Sequence, residues 1–251
     1  MNGVERQKVS AIILAAGKGT RMKADIAKVM HPLCGKPMLT YSVDAARAVN
    51  VEEIVVIIGH QAGLIREAYK NQGLIFVEQH EQLGTGHAVL QARDVFRGYD
   101  GNILILCGDV PMLSSSTIRA LLEVHILEKS ILTVLTTILD DPSGYGRVIK
   151  EGEKGEVSRI VEEKDASSAE KKIKEINTGI YCVESNFLFG AVGDIGNENI
   201  QKEYYLTDIV GIAWKKGLKT RSLITANSIE VMGINTPDDL EKASERMTIR
   251  K

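Results

Sequence analysis

The apolar, β-branched run Val9-Ser10-Ala11-Ile12-Ile13-Leu14 leads directly into Ala15-Ala16-Gly17-Lys18-Gly19-Thr20-Arg21-Met22. Such a run predicts a buried strand, and the small and basic residues after it predict a loop rich in free N–H groups and positive charge. Successive free amides form a nest for an anion, and glycines let that anion approach the backbone. Phosphate is the expected guest. Two familiar phosphate loops are excluded. A dinucleotide fingerprint wants a third glycine where this chain has Met22, and an acid closing the second strand where it has Gly59-His60-Gln61. A P-loop wants glycine, four residues and then Gly-Lys-Ser/Thr, which Gly17-Lys18-Gly19 does not provide.

Bulk properties narrow the partners. A formal net charge of −2 over 251 residues gives no global field to gather nucleic acid or an anionic membrane. Any polyanion site must be local. No apolar run approaches the roughly 20 residues needed to span a bilayer, and Met1–Lys8 is too short and polar for a secretory leader. The three cysteines, Cys34, Cys107 and Cys182, are widely separated and predict reduced thiols, with Cys107 a core residue. His31, His60, His80, His87 and His125 lack close metal-ligand spacing and read as packing or hydrogen-bonding residues. A cytoplasmic protein is expected.

Short apolar strands alternating with helical stretches predict an α/β fold, with a mostly parallel sheet flanked by helices. The expected strands are Val9–Leu14, Ile54–Ile58, Ile75–Val77, Ile103–Cys107 and Leu132–Ile138. Helices are expected over Met38–Val49 and behind the Ser114–Thr117 cap. Then the pattern changes: Val148–Lys150, a Gly152–Gly155 turn and Val157–Val161 read as a hairpin, the start of a small β-rich lobe. Asp165–Lys174 reads as a solvated helix or loop, Ile176–Val183 as a core strand and Leu206–Trp214 as a helix. Thr236-Pro237-Asp238-Asp239 starts a last helix, with Thr236 as its cap. One domain over 1–251 is expected, with a first half over about 8–140, a second half over about 141–235 and a C-terminal helix over 236–251.

Two further stretches carry chemistry. Gln79-His80-Glu81-Gln82-Leu83-Gly84-Thr85-Gly86-His87-Ala88 combines backbone amides that can approach a flat ligand with a side chain that both donates and accepts. Gly108-Asp109 follows the most apolar strand, placing an acid where α/β sheets bind ligands. Beside two phosphate-directed loops, Asp109 suits magnesium, which takes one or two protein oxygens and keeps most of its waters.

The first loop resembles the signature of the sugar-1-phosphate nucleotidyltransferases, L-A-A-G-x-G-T-R-M followed by P-K. Leu14–Met22 match throughout and Lys28 stands at the family's lysine, although Ala27 replaces the proline. Gln79–Ala88 is similar to the base loop of the bacterial UDP-N-acetylglucosamine pyrophosphorylases. Asp141–Arg147, Ile160–Asp165, Glu175–Ile180 and Glu203–Asp208 resemble further family segments, the last assigned only to the pocket wall. Cys107 departs from a tyrosine common in that branch. The resemblance implies Leu14, Ala15, Ala16, Gly17, Lys18, Gly19, Thr20, Gln79, Gly84 and Thr85 on the nucleotide. It implies Gly108, Gly146, Glu162, Asn177 and Asn235 on the sugar, and Asp109 with Asn235 on Mg2+. Arg21, Lys28 and Asp109 are the implied catalytic groups.

The activity implied is uridylyl transfer from UTP to N-acetylglucosamine 1-phosphate. The alternatives are a UTP- or dTTP-dependent glucose-1-phosphate nucleotidyltransferase and a non-catalytic sugar-nucleotide-binding domain. No left-handed β-helix is expected, since the chain contains no hexapeptide repeats, and therefore no acetyl transfer. The oligomeric state is left open by the pattern.

Overall fold

A computed structural model describes residues 7–22, 26–152 and 155–249. Residues 1–6 of the polar N-terminal stretch and positions 153 and 154 of the hairpin turn lie outside the described residues. The strands are β1 (Val9–Ala15), β2 (Pro32–Leu33), β3 (Lys36–Pro37), β4 (Ile54–Ile58), β5 (Ile75–Glu78), β6 (Asn102–Cys107), β7 (Leu132–Ile138), β8 (Arg147–Glu151), β9 (Glu156–Val161), β10 (Glu175–Glu184) and β11 (Thr220–Thr225). The helices are α1 (Met38–Ala48), α2 (Ala62–Ala68), α3 (Thr85–Leu90), α4 (Ser115–Leu127), α5 (Ser185–Asp194), α6 (Asp208–Lys215) and α7 (Pro237–Ile249).

The main sheet has the order β11-β7-β10-β6-β1-β4-β5, with the β8–β9 hairpin joined through β10. β1 pairs in parallel with both β4 and β6, so the chain leaves β1 in one direction along the sheet and returns on the other side. That reversal opens a crevice beyond the carboxyl ends of β1 and β6. β10 runs antiparallel to β6 and to β7, inserting a strand from the second half of the chain between two strands of the first.

Both sheet faces are covered, which explains the uninterrupted apolar runs. Ala11, Ile13, Val56 and Ile58 pack under α1, α2 and α4, while Ile12, Val55, Ile57 and Ile105 pack under α3, α5 and α6. Every residue of β4 is buried. Ser114 Oγ accepts from Thr117 N at 3.2 Å, capping α4 as its sequence requires. Five elements escaped sequence reading: β2, β3, α2, α5 and the edge strand β11. Their stretches are short or mix glycine and polar residues with the apolar ones. Among the described residues no helix is long and apolar enough to cross a membrane.

His125 is buried at the base of α4, with Nε2 donating to Asn102 Oδ1 and Nδ1 accepting from the Thr133 hydroxyl, both at 3.0 Å. Burial pushes its pKa down to about 4. Because the folded value is depressed, the stabilisation is complete above the unfolded value of about 6.5 and is lost as pH falls towards the folded one. Between about pH 7 and pH 4 the protein should lose on the order of 3 kcal/mol through this group, and H125Q should show a correspondingly shallower fall in urea unfolding. Equal slopes for the two proteins would remove this account.

Candidate functional site

The crevice is built from loops that leave neighbouring strand ends. β1 ends in Ala15 and passes through Ala16 and Gly17, beside Gly108 and Asp109 after β6. The Gly108 amide donates to Leu14 O at 2.9 Å, fastening the two loops together. A cavity of about 300 Å³ opens here, lined by Leu14–Gly17, Lys28, Gln79, Gln82, Gly84, Thr85, Cys107, Asp109 and Glu203. Its wall thus combines the loops after β1, β5 and β6, which are remote in sequence.

The phosphate-type loop folds over Lys28. Gly19 adopts φ +61°, and a Cβ there would lie 2.5 Å from Lys28 Cβ, so only glycine fits. Ala27 N donates to Gln61 Oε1 at 2.6 Å, fixing the approach to Lys28 where a proline was absent. Lys28 Nζ then forms an ion pair with Asp109 Oδ2 and donates to Asn235 Oδ1 at 3.0 Å. The Arg21 guanidinium donates to the same Asn235 oxygen at 2.9 Å. Lys18 and Thr20 are exposed and line no described cavity.

Asn235 reaches this point because it has no duty in capping α7. Thr236 Oγ1 accepts from Asp239 N at 3.2 Å, and Asp239 Oδ2 accepts in return from Thr236 N at 2.9 Å and Asn235 N at 3.0 Å. This is a reciprocal capping box, with Asp in place of the usual Glu. Ile234 N donates to Asp109 O at 2.9 Å, holding the two loops in register. Asp109 and Asn235 therefore present one oxygen each to a shared cation, here an ammonium. Two hard oxygen donors converging on a positive charge fit a divalent cation that completes its shell with water and phosphate. Among the described residues no three His, Cys, Asp or Glu side chains converge as a metal group, so such a cation would take few protein ligands.

The base-side loop is braced from across the molecule. Gln79 is buried, and its Nε2 faces Gly84 O and His87 Nδ1, both at 3.0 Å. Its donor is thus committed within the loop. Gly86 N donates to Tyr204 O and Tyr204 N to Leu83 O, both at 2.8 Å, while Leu206 N donates to Thr85 Oγ1 at 3.0 Å. The N-cap of α3 is Gly84, leaving the Thr85 hydroxyl as the anchor of that strap.

Behind Cys107 lies a second cluster. Asn177 N donates to Gly146 O at 2.9 Å, and Asn177 Oδ1 accepts from Gly179 N and the Tyr181 hydroxyl, both at 3.0 Å. Glu162 Oε1 accepts from Thr207 Oγ1 at 3.1 Å, and a Cβ on Gly146 would lie 3.4 Å from the same carboxylate. Burial, then the nearby Asp208, Asp165 and Glu203, raise the Glu162 pKa. Gly146, Glu162 and Asn177 are thus brought together, whereas Gly108 faces Leu14 and Val29 with its amide already taken.

Cys107 corrects the expectation of a core residue. As the last residue of β6 it lines the crevice, with Sγ donating to Gly179 O at 3.5 Å. Desolvation, reinforced by the Asp109 carboxylate and opposed by Lys28, pushes the thiol up to about 12, so it stays protonated and is no nucleophile. Sequence reasoning passed over Gln82, Glu203, Thr207 and Tyr181 as individual site residues. The first three lie within stretches it had singled out, but Tyr181 carried no signal, because it reads as one more core position of a strand.

Fold and site together define an α/β protein with a crevice at the switch point of its sheet, at which Lys28, Asp109 and Asn235 converge. The family model described as nucleotidyl transferase matches residues 10–244. Over 244 residues the chain is 49% identical to the bifunctional protein GlmU of Geotalea daltonii, covering 97% of this chain and 53% of that protein. It is 51% identical over 236 residues to the same-named protein of Geobacter metallireducens, covering 94% and 49%. With that of Brevibacillus brevis it shares 45% over 243 residues, covering 97% and 52%. The chain spans about half the length of the curated relatives it matches. A crystal structure of UDP-glucose pyrophosphorylase complexed with UDP-glucose superposes with a TM-score of 0.78 at 18% identity, covering 97% of this chain and 100% of that one, a likeness of fold. The chain belongs to the nucleotidyl transferase family.

Proposed function

We propose that this protein is a uridylyltransferase that makes UDP-N-acetylglucosamine and diphosphate from UTP and N-acetylglucosamine 1-phosphate. The observation that carries the reading is the convergence of Lys28, Asp109 and Asn235 at the mouth of a crevice lined by Leu14–Gly17 and by Gln79, Gly84 and Thr85. An oxygen of the sugar phosphate bonds to the α-phosphorus of UTP as the bond to the α,β-bridging oxygen breaks. Diphosphate leaves with that electron pair. No protein nucleophile is needed, since such transfers depend on positioning and charge neutralisation.

Gln79, Gly84 and Thr85 hold the uracil and nucleoside, and the Leu14–Thr20 backbone with Lys18 and Arg21 cradles the phosphates. Lys28 neutralises charge at the transferring phosphorus. Gly108, Gly146, Glu162, Asn177 and Asn235 orient the hexose, whose hydroxyls require acceptors when removed from water. Asp109 and Asn235 would hold a divalent cation, assigned as Mg2+, and the chemistry supplied there when bound is Lewis-acid neutralisation and a common template for both phosphates. The whole chain acts as one unit in this reading, with residues 8–140 on the nucleotide and 141–235 on the sugar.

Pyrophosphate release measured with UTP, dTTP, CTP and ATP against three sugar 1-phosphates tests the assignment. UTP with N-acetylglucosamine 1-phosphate should exceed every other pair by about tenfold or more in kcat/KM. A preference for glucose 1-phosphate would change the sugar assignment, and binding of UDP-sugars without any release would make the protein a binding domain.

A further inference from the structure

A second cavity, of about 420 Å³, is lined by Arg21 and Asn235 and shares none of its lining residues with the nucleotide crevice. Arg21, Lys242 and Arg246 line it, with Asp239, Ser143 and Tyr145. Nothing in the reading above uses Lys242 or Arg246.

Both belong to α7, whose rotation is set by burial. Ala243 is buried, and Leu240 and Met247 are half-buried, against the cluster of Leu33, Met38 and Ile234. Those three positions form one helical stripe. Docking that stripe leaves Lys242 and Arg246, one turn apart, on the flank that meets the cavity. Asp239 is the only carboxylate among the lining residues, and its Oδ2 already accepts two backbone amides. Among the described residues neither Lys242 nor Arg246 forms a salt bridge within 4 Å, although, against desolvation, the amide bonds and the Lys242 charge lower the Asp239 pKa. The cavity therefore holds three cations against one occupied acid. It communicates with the reaction centre through Arg21 and Asn235, which are hydrogen-bonded to each other, while Asn235 is also bonded to Lys28.

We propose that this cavity is a seat for inorganic diphosphate, with Lys242 and Arg246 drawing the product off Arg21 on its way out. The geometry suits a compact polyanion. Arg21, Lys242 and Arg246 gather in this one cavity, whose lining is separate from that of the nucleoside crevice, and the apolar walls from Met112, Met232 and Ile234 offer a hydroxyl-rich hexose few acceptors. A multiply charged leaving group held only by Arg21 and the glycine loop would rebind easily, and a second set of donors gives it an alternative partner. The role assigned to the ligand rests on the uridylyltransferase reading.

The test is titration calorimetry with inorganic pyrophosphate on the full chain, alongside titration with UMP. K242Q/R246Q should weaken pyrophosphate binding about tenfold and leave UMP binding within about twofold. K242R/R246K should restore it, and K70Q, which removes a lysine in the turn after α2, should change nothing. Unaltered pyrophosphate affinity in K242Q/R246Q overturns the proposal. So does an equal loss in K70Q, or a parallel loss of UMP binding. If wild-type protein releases no pyrophosphate from any nucleotide, the uridylyltransferase reading fails while the calorimetric result still decides whether the seat exists.

Discussion

Replacing Asp109 with alanine is expected to lower pyrophosphate release by about 10²–10³-fold while leaving a folded protein, the range typical for loss of one preorganised charge-stabilising group. The side chain has one described role, to present Oδ2 to a cation beside Asn235 Oδ1. Its structural role belongs to the backbone: Asp109 O accepts from Ile234 N, and the neighbouring Gly108 N donates to Leu14 O, each at 2.9 Å. Neither bond is touched by the substitution. Steady-state release with a magnesium series should show the loss in kcat, with a thermal unfolding curve close to wild type. Turnover near the wild-type level would remove the assignment of Asp109 to the cation.

Gly84→Ala should act in the opposite way, through the fold of the base loop and not through charge. Gly84 adopts φ +114°, and a Cβ there would lie 2.6 Å from Tyr204 O and 2.8 Å from Tyr204 N. Those backbone atoms form the strap that bonds Leu83 and Gly86, so they cannot yield without breaking it. Backbone strain of about 1–3 kcal/mol and overpacking of similar size add at one point. A destabilisation of about 3 kcal/mol in urea unfolding is expected, with UTP binding weakened at least tenfold because Gln79 loses its acceptor at Gly84 O. A variant that unfolds and binds UTP like wild type would show that the strap does not shape this site.

Much of the site was readable because its donors are local. A strand ending in Gly17-Lys18-Gly19 must turn and expose amides wherever it occurs, and Thr236-Pro237-Asp238-Asp239 must start a helix. That second inference also freed the Asn235 side chain, whose Oδ1 accepts from Arg21 and Lys28 while Thr236 and Asp239 cap the helix. Reading failed where burial at the crevice depends on neighbours. Cys107 ends an apolar run and looks like core, yet it lines the crevice because β6 stops there. Tyr181 reads as one more strand residue until β10 places its hydroxyl against Asn177. The cations of α7 drew no reading from the sequence, because nothing in Asp238–Arg246 tells which flank lines the cavity with Arg21.

Local chemistry along the chain was sufficient to set the alternation of strands and helices, the anion-binding turn after β1 and the cap of α7, since each depends on residues a few positions apart. Only the tertiary structure decided that β10 enters between β6 and β7, that Lys28 meets Asn235 across 207 positions, and that Arg21 and Asn235 line a second cavity beside the crevice that Lys28 and Asp109 line. Those outcomes depend on which buried faces pack together, and hydrophobic burial is non-directional, so its partners appear only when the whole core is assembled.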